Sequence, residues 1–229
     1  MSTLVRLAVF DLDGTITRHD TLAPYALGYV SRKRPWRLPA LLLVLPALVG
    51  YAIGRVDRGG LKSAFIRATL GGCRRQDLER WTARFLERLL ARGVFAQALE
   101  AIQAHARAGD HLVLLSASTD LYVPAVARAL GFQDVICTGL RWDGDRLRGT
   151  LTTPNRRGEE KAHCVAALRA RHPGTQSTAY GNAQSDIAHL KLVERGVLVN
   201  GSAAAQREAV RLGITCVSWR QTRSVTDLS

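Results

Sequence analysis

The chain has 229 residues, 47% hydrophobic and 22% charged, with 32 Lys and Arg against 19 Asp and Glu for a formal net charge of +13. Such apolar content, with no long polar tract, excludes a disordered or collagen-like chain and suffices for a real core in one or two domains. Cys73, Cys137, Cys164 and Cys216 are too few and too widely spaced for a disulfide framework and form no zinc-type C-x-x-C pair, so a reducing, cytoplasmic compartment is expected. The basic excess calls for a polyanionic partner, whether nucleic acid, an anionic membrane surface or a phosphorylated substrate.

In chain order, the first apolar run, Leu4 to Phe10, is broken by Arg6 and met at once by Asp11 and Asp13. That pattern reads as a buried strand over 5–10 and not as an export signal. From Thr21 to about Gly109 the pattern is helical, as in Leu78, Trp81, Phe85, Leu89 and Leu90, and no strand stands out. An insertion of this length between two sheet strands is a helical cap. Within it, Leu38 to Gly54 is a run of 17 residues without a charge, at the short edge of what spans a bilayer. Pro39 and Pro46 argue against one straight span. Further strands are predicted over 111–115, 134–137, 178–180, 196–199 and 215–217, alternating with helices over 120–130, 158–171 and 203–212. Asp143-Gly144 marks a small β-hairpin within 139–152. The expected fold is α/β, with a parallel sheet formed by 1–20 and 105–229 and a cap over 21–104.

The chemistry begins where the first strand ends. Asp11 and Asp13 stand two residues apart at the carboxyl edge of a parallel sheet, where open α/β sheets bind ligands. Two carboxylates so close need a cation or a proton between them, and a hard ion such as Mg²⁺ takes such oxygen ligands.

Phe10-Asp11-Leu12-Asp13-Gly14-Thr15 resembles the first motif of the haloacid dehalogenase (HAD) superfamily. The later motifs follow in order: Ser116 after the apolar run His111 to Leu115, Lys161 in Gly158-Glu159-Glu160-Lys161, and Tyr180-Gly181-Asn182-Ala183-Gln184-Ser185-Asp186. The resemblance implies a Rossmann-like core and a phosphomonoester hydrolase. In it Asp11 is the nucleophile that becomes an aspartyl phosphate, and Asp13 is the general acid and base. By the same resemblance Ser116 and the backbone at Ala117 bind a phosphoryl oxygen, and Lys161 neutralises charge. Asp11, Asp13, Asn182 and Asp186 hold Mg²⁺. Asn182 departs from the usual acid, and a neutral amide predicts a weaker metal site. A non-catalytic phosphate-binding protein is the reading of another class.

An all-helical cap directly after the first motif resembles the phosphoserine phosphatase branch, subfamily IB. Asp20 is the nearest acid to the Glu with which that branch meets the substrate's amino group, although Asp20 also suits a helix cap. The cap also resembles that of HAD-type phosphatidylglycerophosphate phosphatases, which makes a phospholipid the second candidate substrate beside a small phosphorylated metabolite. From Tyr29 to Lys62, Arg32, Lys33, Arg34, Arg37, Arg55, Arg58 and Lys62 face a single acid, Asp57, for a net +6. Basic residues flanking an apolar segment, with Trp36 and Tyr51 beside it, suit a peripheral or monotopic site on the cytoplasmic face of an anionic membrane. A cap helix packed on its neighbours or on a second subunit is the other reading of the same run. No nucleic-acid-reading motif is present, so no nucleic-acid partner is expected.

Overall fold

The structure, a computed structural model, describes residues 6–219; Val5, where the first strand was expected to begin, lies outside them, as do the remaining positions of 1–5 and 220–229. Eight strands are present among the described residues: β1 (Leu7–Phe10), β2 (His111–Thr119), β3 (Asp134–Thr138), β4 (Leu140–Asp143), β5 (Arg146–Leu151), β6 (Ser177–Gly181), β7 (Arg195–Val199) and β8 (Thr215–Val217). Six of them form one parallel sheet in the order β3-β2-β1-β6-β7-β8. Strand β1 is apolar at every position because helices cover both faces of the sheet. Ala8 and Phe10 enter one core layer while Leu7 and Val9 enter the other. The strand order reverses between β1 and β6, which makes their carboxyl ends the crevice of the sheet.

Helices α1 (Leu22–Lys33), α2 (Leu45–Ala52), α3 (Arg58–Leu70), α4 (Arg75–Arg92) and α5 (Ala96–Arg107) lie between β1 and β2. α6 (Val123–Ala129), α7 (Glu159–Arg171), α8 (Ile187–Leu190) and α9 (Ala203–Arg211) connect the later strands. The expected α/β core, helical insertion and small β-hairpin are all present. Strands β4 and β5 meet through Gly144-Asp145, and Gly144 takes the positive φ of 55° that a two-residue hairpin turn demands.

Two differences from the sequence reading have local causes. Strand β2 continues past Leu115 to Thr119, with a register shift against β3 between those residues. The Ser118 N–H donates to Ser116 Oγ (3.0 Å), a local bond that bends the strand end. The following helix begins at Val123 and not at Asp120, whose carboxylate instead accepts the Leu140 N–H at the hairpin (3.1 Å).

Cap and sheet share one core. Tyr25 of α1 packs on Phe85 of α4 and on Tyr122 beyond β2, with ring centroids 5.1 and 4.7 Å away. Helix α5 packs against β2, and α3 against β5. The uncharged run departs from this pattern. It divides into a 310 helix, Pro35–Val44, and α2, whose first turn holds Pro46. The 310 helix has ten residues, where runs beyond about four are uncommon. None of the residues from Pro35 to Ala52 is buried. Arg37, Ala40, Leu41, Val44, Ala47 and Tyr51 are half-buried, recurring every three or four residues, in a segment that lies along α3. Leu42, Leu43, Leu45, Leu48 and Val49 are exposed.

Candidate active site

The first turn after β1 brings Asp11 and Asp13 to the sheet crevice. Gly14, at φ 82°, makes the turn possible, and a Cβ there would meet the Asn182 amide at 2.0 Å. Asp11 is buried, with Thr15 Oγ1 donating to its Oδ2 (3.1 Å). Lys161, in the first turn of α7 and 3% exposed, donates from Nζ to Asp11 Oδ1 (2.6 Å) and to Asp186 Oδ1 (2.8 Å). Asp186 Oδ2 accepts the N–H groups of Asn182 (3.0 Å) and Ala183 (2.9 Å).

One ammonium is thus shared unequally by two buried carboxylates. Burial pushes Asp11 up, with Asp186 and Asp13 adding repulsion and Lys161 opposing, to about 7. Burial also raises Asp186, but Lys161 and the backbone donors overcome it and hold this group low. Lys161, despite burial, is raised by its two acid partners and stays protonated. Burial pushes Asp13 up against three hydrogen bonds: the Thr21 N–H (2.8 Å) and Oγ1 (2.6 Å) donate to its Oδ1, and Ser118 Oγ donates to its Oδ2 (2.5 Å).

Asp11, Asp13, Lys161, Asn182 and Asp186 line one cavity of about 190 Å³ together with Ala117 and Asp20. Ser116 is fully buried and does not line it; its hydroxyl receives the Ser118 N–H, and Ser118 lines the cavity instead. Asp20 is exposed and caps α1 by accepting the Leu22 and Ala23 N–H groups (2.9 and 3.4 Å). Sequence reasoning missed Asn155 and Arg157, which precede α7, and it assigned Arg58 and Lys62 to the flanks of the apolar run, whereas both line the cavity from α3. The i,i+4 spacing of Arg58 and Lys62 on one helix face was the signal available. Also missed was His189, buried behind Asp186 with its Nδ1 4.0 Å from Asp186 Oδ1. Burial, helped by the Lys161 charge, holds His189 at about 3 and therefore neutral.

Among the described residues no three His, Cys, Asp or Glu side chains stand in a metal-holding arrangement. An ion at this site would therefore draw on the Asp13 carbonyl and the Asn182 amide besides Asp11. All of these are hard oxygen donors, and Asp11, Asp13 and Asp186 meet one buried Lys161 at the cavity floor while Arg58, Lys62 and Arg157 stand on its wall, so the floor fits a divalent cation such as Mg²⁺. Asp186 positions Lys161 and the 182–183 backbone through its hydrogen bonds, and, like Asp11, whose two oxygens are also bonded, it keeps lone pairs for an ion.

A family model described as haloacid dehalogenase-like hydrolase matches residues 8–191. Protein CicA of Caulobacter vibrioides is 32% identical over 190 residues, which is 82% of this chain and 83% of CicA. Two solved structures share the fold. A protein of unknown function from Bordetella pertussis Tohama I has TM-score 0.79 and 23% identity, covering 94% of this chain and 99% of its own. A phosphoserine phosphatase, solved as a phospho-aspartyl intermediate analogue, has TM-score 0.66 and 14% identity over 99% of this chain and 98% of its own.

Proposed function

The chain belongs to the haloacid dehalogenase-like hydrolase family, and from that premise we propose that it is an HAD-type phosphatase, a Mg²⁺-dependent phosphomonoester hydrolase working through an aspartyl phosphate on Asp11. The observation that carries this reading is the buried Asp11–Lys161–Asp186 arrangement at the floor of a cavity walled by Arg58, Lys62 and Arg157. An acidic floor that must meet a phosphate needs its charge managed, while the cationic wall attracts that phosphate.

An Asp11 carboxylate oxygen attacks phosphorus, forming one P–O bond as the bond to the leaving oxygen breaks. Asp13, whose carboxyl burial favours the protonated form, gives its proton to the leaving alkoxide. Water then delivers its oxygen to phosphorus and a proton to Asp13, and the Asp11 carboxylate is released with inorganic phosphate. Lys161 and Thr15 fix the Asp11 side chain throughout. Lys62, Arg157 and the Ala117 N–H offset charge on the phosphoryl oxygens. Asp11, the Asp13 carbonyl and Asn182 would hold Mg²⁺, which supplies charge neutralisation between the acids and the phosphate.

The substrate is a small phosphorylated metabolite, such as phosphoserine, or a lipid phosphate. With p-nitrophenyl phosphate and Mg²⁺, the parent releases inorganic phosphate and forms a hydroxylamine-sensitive phosphoenzyme; Asp11→Asn lowers turnover by at least about a thousandfold. Phosphate binding without turnover in the parent would establish the non-catalytic reading instead.

A further inference from the structure

Two features have no part in that chemistry: the exposed apolar segment and a second concavity beside the catalytic one. The latter is a groove of about 510 Å³ whose walls include Leu22, Ala23, Val44, Leu61 and Phe65. It shares Asp20, Leu22, Arg58 and Lys62 with the catalytic cavity. Val44 belongs to the uncharged segment itself, so one route leads from Asp11, past two cations, over apolar walls, to the exposed face of residues 35–53.

That face suits no aqueous role. Trp36 is 71% exposed, Leu42 66% and Leu43 74%, and Leu45, Leu48, Val49 and Ile53 extend the same surface. Contiguous apolar exposure of this kind marks an interaction surface. The stretch Pro35–Ala52 has the length and composition to enter a membrane, with a mean hydropathy of 1.4. One side of it lies against α3, so lipid cannot surround it, and it fits the plane of an interface and not a crossing. Arg32 and Lys33 at one end and Arg55 at the other are exposed; Asp57 is the single acid within residues 29–62, and Asp77 shares a cavity with Lys33, Arg34 and two further arginines. Pairing with a second copy would bring these cations together, whereas anionic headgroups complement them.

We propose that residues 35–53 seat the protein in the interface of an anionic bilayer, and that the groove receives the hydrocarbon part of an amphiphilic phosphomonoester drawn from it. The groove assignment rests on the phosphatase reading; the seating does not. The test compares the parent with the triple variant Leu42→Gln, Leu43→Gln, Val49→Gln, all at exposed positions, by flotation with vesicles of phosphatidylcholine alone or mixed with phosphatidylglycerol in equal parts. The parent floats with the mixed vesicles and the variant stays below, while both melt alike and hydrolyse p-nitrophenyl phosphate equally. On dioleoyl phosphatidic acid in mixed vesicles the variant is slower by at least about tenfold. A parent that does not float, or a dimer that the triple variant dissociates, overturns the seating. Equal rates on the vesicle lipid overturn the groove assignment. Absence of turnover on p-nitrophenyl phosphate by the parent overturns the groove assignment together with the phosphatase reading, while flotation still decides the seating.

Discussion

The crevice at the carboxyl edge of the sheet and the outer face of the cap treat water in opposite ways. In the crevice, charged groups have left water and found partners: Lys161 lies between two carboxylates, and Asp13 accepts three hydrogen bonds. On the cap face, leucines have found no partners and remain in water. A buried charge is tolerable only when paired, and an apolar side chain gains nothing until it is covered. The first region has its charges paired within the fold, and the second leaves its apolar side chains uncovered.

Substitutions sharpen that contrast. The largest stability effect belongs to Phe10, which is fully buried and stacks on Tyr180 at 4.3 Å. Phe10→Ala should lower unfolding stability by about 3–5 kcal/mol in urea denaturation. An effect below 1 kcal/mol there would mean that the sheet core is no better packed than the cap face. Next comes Lys62, where burial outweighs the pull of Asp13 and Asp20 and holds the ammonium down to about 8. The cation is present below that pH and lost above it, so kcat/KM of the parent should fall as pH rises through about 8. Lys62→Met should lower kcat/KM by about tenfold at neutral pH and lack that alkaline limb. The stability effect has its own sign. The unfolded chain binds this proton up to its ordinary 10.5, so the buried lysine costs stability below about 8 and nothing above 10.5.

A smaller change is expected of Asn182→Asp, which restores a charge against Gly14 and Asp11. The Mg²⁺ concentration for half-maximal hydrolysis should drop by about threefold to tenfold; an unchanged value removes position 182 from the ligand set. The smallest is Leu43→Ala, which should move unfolding stability by less than about 0.5 kcal/mol in the lipid-free protein. A loss near that of Phe10→Ala would show that the cap face is covered after all.

Much of the sheet was legible because its signals are local. The apolar run of β1 ending in Asp-x-Asp-Gly needs no distant partner to be read, and neither does the helix start before Lys161. The two sites lie 150 residues apart in sequence, and the fold sets their side chains 2.6 Å from each other. What periodicity cannot supply is the direction a side chain takes when its partners are remote. Ser116 and Ser118 both follow the same apolar run, and only the bend in β2 decides which faces the cavity. Arg58 and Lys62 read as part of one basic cluster with Arg32 to Arg37, yet both line the cavity that holds Asp11. Asn155 and Arg157 sit in a connection with no periodic pattern at all. The uncharged run was legible as unusual, since Pro39 inside it has no N–H to give, but its 310 geometry was not.

The position of Lys62 has one more consequence. Its Nζ reaches across from the cap to the Ala117 carbonyl (2.6 Å) and the Asn155 amide oxygen (2.5 Å), and among the described residues it enters no ion pair. A half-buried ammonium held by neutral oxygens thus stitches α3 of the cap to the end of β2 and to the connection before α7. Two of its three protons are spent on these oxygens, which leaves one for an anion in the cavity that Lys62 lines.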